Sequence, residues 1–289
     1  MFDLASYQKA HTVEEAIAQL EREPRAKPLA GGTDIFVRLR EGHADYRHVV
    51  DIHDLAELKQ ITLEADGTLR IGSGVTFSAL IDAPLIRERI PVLAEGALSV
   101  GGPQVRESAT VGGNICNGAP SADSAAPLLV LGAVAELTGP DGVRRLPVEA
   151  FYEGPGKVDR RPAEILTALS VASADYEGWG AAYLKYAMRD AMDIATIGCA
   201  GACRVEGGRV AGLRLAYTVA GPTPLRCRKT EAAVEGMTVD GNLIDRAREL
   251  VLGDLMPRDS WRAAKDFREH IIRTLAEKVL RKITGLADA

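Results

Sequence analysis

The spacing of apolar and polar residues predicts a mixture of short helices and strands, with no repeated unit along the chain. Thr12-Val13-Glu14-Glu15 has the form of a capping box, and Val13, Ala16, Ile17 and Leu20 then recur on one helical face until Pro24 marks the exit. Lys27-Pro28-Leu29-Ala30 is strand-like and leads into Gly31-Gly32-Thr33-Asp34 and an apolar-rich Ile35-Phe36-Val37; Val49-Val50-Asp51-Ile52 is another short strand. Asp66-Gly67 and Asp141-Gly142 each separate two β-like runs, 61–63 from 69–71 and 134–137 from 143–148, so two hairpins are expected. Helical segments fall near 77–81, 91–98 and 123–131.

From 181 to 220 the pattern changes to long strand-like runs around Gly207-Gly208, followed by helices near 243–252 and 260–283. In the last helix Phe267, Ile271, Leu275, Val279 and Ile283 form a core stripe, and Lys265, Arg268, Arg273, Lys278, Arg281 and Lys282 read as a solvated basic face. The polar string Ser173-Ala174-Asp175-Tyr176-Glu177-Gly178 suits a connector, which divides the chain into expected domains at 1–174 and 178–289. Helices and strands do not alternate strictly. The fold class expected is therefore α+β, with a small C-terminal domain of antiparallel sheet and helices.

Composition narrows the function without naming it. A chain of 289 residues, 46% hydrophobic and 26% charged, buries adequate cores without disulfides. Its 35 basic and 40 acidic residues leave a net charge of −5, which provides no attraction for nucleic acid or anionic lipid. No apolar run approaches the roughly 20 residues that span a bilayer, and Met1-Phe2-Asp3-Leu4 carries an acid where a secretory leader has bases, so a cytoplasmic protein is expected. Cys116, Cys199, Cys203 and Cys227 form no CxxC pair, and Cys199 and Cys203 read as small buried hydrophobes. No GxxxxGK[ST], HExxH or GxSxG motif is present, and none of the five histidines pairs at helical spacing, so no standard hydrolase or metalloenzyme machinery is visible.

The chemistry in the sequence lies in two glycine-rich segments. In Ala30-Gly31-Gly32-Thr33-Asp34 the missing Cβ atoms allow consecutive amides to turn toward one point, a concavity suited to phosphate oxygens, with the Thr33 hydroxyl as a further donor. Ala109-Thr110-Val111-Gly112-Gly113-Asn114 offers the same device again. Either segment alone is a weak signal and reads first as a plain tight turn. Together they suit the two charged groups of a pyrophosphate, although the GxGxxG fingerprint of a Rossmann fold is absent. Residue types and spacing reach as far as a phosphorylated small molecule, with a dinucleotide among the candidates, and name no reaction.

Leu29-Ala30-Gly31-Gly32-Thr33-Asp34, then Gly101-Gly102-Pro103-Gln104-Val105-Arg106 running into Ala109-Thr110-Val111-Gly112-Gly113-Asn114-Ile115, and Pro120-Ser121-Ala122-Asp123 resemble the FAD-binding subunit of molybdenum hydroxylases. The resemblance covers essentially the whole chain. Gly154-Pro155-Gly156-Lys157, Lys185-Tyr186-Ala187-Met188-Arg189 and Pro257-Arg258-Asp259-Ser260-Trp261-Arg262 are similar to the flavin subunits of bacterial three-subunit xanthine dehydrogenases in particular.

The resemblance implies a two-lobed flavin domain of the vanillyl-alcohol-oxidase type and the family's smaller C-terminal domain. Matched position by position, Lys27, Pro28, Leu29, Ala30, Gly31, Gly32, Thr33 and Asp34 would wrap the FAD pyrophosphate from one lobe. Gly101, Ala109, Thr110, Val111, Gly112, Gly113 and Asn114 would approach it from the other, while Asp123, Ile165, Leu166 and Lys185 match positions lining the flavin. The charged stretch Arg189-Asp190-Ala191-Met192-Asp193 matches a region beside the ring in relatives. Leu98-Ser99-Val100-Gly101 lacks the aromatic residue that animal relatives place against the ring, which shifts the implied grip toward the phosphates.

The resemblance also implies a relay. Molybdopterin and [2Fe–2S] clusters would reside in a molybdenum-binding subunit and an iron–sulfur subunit, this chain would hold FAD and no metal, and a hydride would pass from flavin N5 to C4 of NAD⁺. Two competing readings remain open. One is the flavin subunit of a related hydroxylase acting on CO, nicotinate, an aldehyde or an aromatic thioester; the other is a non-catalytic nucleotide-binding scaffold.

Overall fold

The structure is a computed structural model and describes residues 3–287. The first helix, Val13–Arg22, begins where the capping pattern places it, with the Thr12 hydroxyl accepting from the Glu15 amide at 3.1 Å. Glu15 returns the bond to the His11 amide at 2.8 Å, one residue ahead of the usual partner. Its apolar face packs with Val50, Ile52, Leu55 and Leu58 in a small core over a three-stranded parallel sheet, ordered Ser6–Lys9, His48–Asp51, Lys27–Leu29. This is the first lobe.

The second lobe is built on a five-stranded antiparallel sheet, ordered Ile61–Leu63, Leu69–Gly72, Ile165–Val171, Val134–Gly139, Gly142–Pro147. Both Asp-Gly hairpins form, with φ of +82° at Gly67 and +103° at Gly142, where an L side chain would be strained. The central strand Ile165–Val171 pairs on both sides and serves two cores: Ile165 belongs to the first lobe's, while Leu166, Leu169 and Val171 belong to the second's. Helices Phe77–Asp82, Pro91–Leu98 and Ala125–Val130 correspond to the expected segments. Pro84–Arg89, Pro103–Ser108 and Val111–Cys116 are additional helices of six residues each that the apolar spacing does not announce.

The third sheet is antiparallel, ordered Gly180–Tyr186, Ile197–Glu206, Arg209–Thr218, Leu225–Arg226. Strand alternation sorts its two faces. Cys199, Leu215 and Tyr217 pack under the long helix Lys265–Thr284, whereas Tyr183, Ala200, Ala202 and Ala216 join the core of the second lobe. The small residues on that second face let the sheet lie close against helix Ala125–Val130. Glu95 adds a polar tie, accepting from the Tyr183 amide and from Lys282 Nζ, each at 2.7 Å. The connector packs too: Tyr176 is buried and donates its hydroxyl hydrogen to the Gly67 carbonyl at 2.7 Å.

The long helix differs from its expected faces at one end. Ile271, Leu275 and Val279 are buried as the stripe requires, but Phe267 is 42% exposed and Arg268 only 3%. The segment preceding the helix folds over its first turn, and Arg268 donates to the Thr196 carbonyl and the Ser260 hydroxyl beneath it. Among the described residues no helix is long and apolar enough to cross a membrane.

Candidate functional site

A cavity of about 390 Å³ lies between the first two lobes. Lys27, Pro28, Ala30, Gly31, Gly32, Thr33 and Asp34 line it from the first, and Ala109, Thr110, Gly112, Gly113, Asn114, Ile165 and Leu166 from the second. Leu29 and Val111 instead turn into the protein, at 6% and 0% exposure. Gly101, Asp123 and Lys185 do not line the cavity.

The first glycine segment has the properties of a cradle. The amides of Gly31, Gly32, Thr33 and Asp34 donate no hydrogen bond among the described residues, so four adjacent donors are uncommitted at the cavity wall. Gly32 has φ +73°, and a Cβ at Gly31 would lie 1.8 Å from the Ser108 carbonyl oxygen of the opposite lobe. Glycine is therefore required at 31 by the contact between lobes and at 32 by backbone conformation.

The second glycine segment departs from expectation. It opens helix Val111–Cys116, and the amides of 111–114 are already committed: Val111 to the Val75 carbonyl at 3.0 Å, Gly112 to the Ser73 carbonyl at 2.9 Å, Gly113 to the Thr110 hydroxyl at 3.1 Å and Asn114 to the Thr110 carbonyl at 3.0 Å. It repeats the composition of the first segment but not its row of four free donors; only the Thr110 amide donates no hydrogen bond among the described residues. Its glycines serve close packing, since a Cβ at Gly112 would lie 2.4 Å from Ser73 Cβ, whereas one at Gly113 would meet only the Thr110 hydroxyl, at 2.9 Å.

Residues that sequence reasoning did not select complete the wall, among them Tyr46, His53, Ser73, Asn117, Lys157 and Arg160. Lys157 lies in the quoted Gly-Pro-Gly-Lys motif, and the small hairpin Tyr152–Gly154 with Lys157–Val158 reaches the cavity through a bond from the Gly156 amide to the Gly118 carbonyl. Only long-range folding reveals that proximity. Lys27, Lys157 and Arg160 line the cavity together with Asp34 and Glu153, an excess of one cation. Burial pushes the Asp34 carboxyl above its ordinary range, opposed by Arg38 and by a hydrogen bond from Asn117.

Cys116 also lines the cavity, and burial raises its thiol to about 11; Cys199, in the core of the third sheet, is raised to about 12. We expect iodoacetamide at pH 8 to label neither thiol appreciably until the chain is unfolded, as read by mass spectrometry. The sign for stability follows. The Cys199 thiol ionises near 9.0 when free but stays neutral to about 12 in the fold, so the unfolded chain loses its proton first. Between those limits stability falls with rising pH by up to about 1.4 kcal/mol per unit, and Cys199→Ala should flatten the alkaline limb of a denaturation series.

Asp123 and Lys185 form a second, closed cluster where the third sheet meets the second lobe. Lys185 Nζ donates to Asp123 Oδ2 at 2.8 Å, to the Ser99 carbonyl at 2.9 Å and to the Asp193 carbonyl at 2.8 Å, which uses all three of its protons. The two side chains are 11% and 8% exposed. Burial raises the Asp123 carboxyl, while Lys185 and the Tyr183 hydroxyl draw it back down. Gly101 follows the Ser99 turn with φ +49°. Among the described residues no group of His, Cys, Asp and Glu could hold a metal ion, and all four cysteines are free.

Comparison with known proteins identifies the family. Residues 2–173 match the FAD binding domain in molybdopterin dehydrogenase, and residues 182–283 match the CO dehydrogenase flavoprotein C-terminal domain. The chain is 49% identical over 287 residues to the putative xanthine dehydrogenase FAD-binding subunit of Escherichia coli K12, covering 99% of this chain and 98% of that one. It is 29% identical to the carbon monoxide dehydrogenase medium chain of Afipia carboxidovorans, with 97% of each covered. Among solved structures, carbon monoxide dehydrogenase from Hydrogenophaga pseudoflava superposes with a TM-score of 0.94 at 30% identity, over 99% of both chains. Two family models together cover nearly the whole chain and the likeness runs along its full length, so the chain belongs to the FAD-binding medium-chain subunits of the molybdenum hydroxylase family.

Proposed function

We propose that this chain is the flavin-carrying electron-transfer subunit of a xanthine dehydrogenase, taking electrons from the [2Fe–2S] clusters of a partner subunit and delivering them to NAD⁺. The observation that carries the reading is the row of uncommitted amides at 31–34 on a cavity wall that two lobes share. The residues fit a dinucleotide: the cradle is one that a Cβ at Gly31 would fill, and Lys27, Lys157 and Arg160 add charge that suits a diphosphate. FAD bound there supplies the redox chemistry, accepting electrons singly and releasing them as a pair.

The chain's own part is to bind, shape and exclude. In this reading residues 1–174 would hold the cofactor, all of the cavity's lining lying within them, and 178–289 would form the smaller C-terminal domain. Residues 31–34 donate backbone hydrogen bonds to phosphate, Thr33 adds a hydroxyl, and Thr110, Gly112 and Gly113 shape the opposing wall. Ile165 and Leu166 present apolar surface at the floor. Asp123 and Lys185, outside the cavity, act through position and charge, because the Lys185 protons are already taken. Identity of 49% to the xanthine dehydrogenase subunit against 29% to the carbon monoxide dehydrogenase chain favours a purine-oxidising partner.

The test is spectroscopic. Purified chain should show the absorption bands of bound flavin, and in its complex the flavin should bleach anaerobically with xanthine and recover on adding NAD⁺. A colourless chain would favour the scaffold reading, and bleaching by CO or an aldehyde alone would reassign the substrate.

A further inference from the structure

Tyr183 is buried, 4% exposed, and its hydroxyl donates to Asp123 Oδ1 at 2.7 Å. It stands two residues before Lys185 on strand Gly180–Tyr186, so both side chains leave the same face. Lys185 Nζ takes the other oxygen, Asp123 Oδ2, at 2.8 Å. One strand therefore holds a single carboxylate by both oxygens. The Tyr183 amide is itself fixed by Glu95 Oε2 at 2.7 Å, which in turn is tied to Lys282 on the last helix through Oε1. The strand's position relative to helix Pro91–Leu98 is set by the same residue that clamps Asp123.

From this geometry we infer that Tyr183 is a positioning residue for the flavin site, acting through Asp123 on Lys185. The inference rests on the flavin reading above. A buried carboxylate with two donors divides its charge between them; without the Tyr183 hydroxyl the whole carboxylate is left to the ammonium. Lys185 would then be drawn toward Asp123 and away from the Ser99 and Asp193 carbonyls, which it also holds at 2.9 and 2.8 Å. Those carbonyls belong to two segments, the turn after helix Pro91–Leu98 and the loop after strand Gly180–Tyr186, that approach each other where Met192 meets Gly102. Loosening the ammonium loosens both segments and, in the flavin reading, displaces the charge that Lys185 holds outside the cavity.

The experiment uses the full chain with its flavin and compares Tyr183→Phe, Lys185→Met and the double variant by FAD content and flavin midpoint potential. Phenylalanine keeps the ring and removes only the donor. FAD content should stay at wild-type level in Tyr183→Phe, because the cradle at 31–34 is untouched. The potential should fall in Lys185→Met, fall less in Tyr183→Phe, and in the double variant match Lys185→Met alone, since a residue acting through Lys185 has nothing left to act on. Additive shifts in the double variant, or an unchanged potential in Tyr183→Phe, overturn the inference. If wild-type chain takes up no FAD at all, the flavin reading falls and this inference falls with it, an outcome distinct from a flavin-loaded Tyr183→Phe that behaves as wild type.

Discussion

Gly31→Val yields a folded chain that has lost its flavin. The Cβ alone would sit 1.8 Å from the Ser108 carbonyl oxygen and 3.1 Å from Ala109 Cα, both backbone atoms that no rotamer change moves aside. The lobes must part at this point, and the amides of residues 31–34 shift from the wall opposite Thr110 and Gly112. We expect FAD affinity to fall by ~100-fold or more, about 2.7 kcal/mol, measured by equilibrium dialysis, with the far-ultraviolet circular dichroism preserved because the clash lies in a loop. Gly113→Ala is the matched control: its Cβ would meet only a hydroxyl at 2.9 Å, and its amide is already bound within the protein, so the loss should be several-fold at most. Equal loss in the two variants would place the grip on the second segment.

The other large effect is on stability. Asp123→Ala leaves the Lys185 ammonium 11% exposed and without a counter-charge, and strips Tyr183 of its acceptor. Breaking a buried pair from one side costs about 3–5 kcal/mol, so the urea midpoint should drop steeply. Asp123→Leu combined with Lys185→Met removes both charges and should recover much of that loss, because the desolvation of two ions is relieved together. A double variant no more stable than Asp123→Ala would show that the pair contributes by packing and not by charge.

Much of the fold is written locally. Asp66-Gly67 and Asp141-Gly142 announce their hairpins because few residues accept a positive φ, and Thr12 announces its helix because an exposed amide needs an acceptor. The chemistry of Gly31 to Asp34 is legible for the same reason. What the sequence conceals is pairing at a distance. Asp123 and Lys185 are 62 residues apart, and nothing local reports that the Lys185 protons are spent. The two glycine segments look alike as strings, yet one keeps four adjacent donors and the other commits those of 111–114 to Ser73, Val75 and Thr110. Arg268 reads as surface until the segment around Ser260 folds over it.

The central strand Ile165–Val171 arrives last in its sheet but feeds apolar side chains to the cores on either side of the cleft. A fragment ending at residue 160 would contain every glycine of the cradle and still lack the rivet joining its two plates. Truncation just ahead of Ile165 should therefore abolish cofactor capture outright, read as loss of FAD retention by the shortened chain.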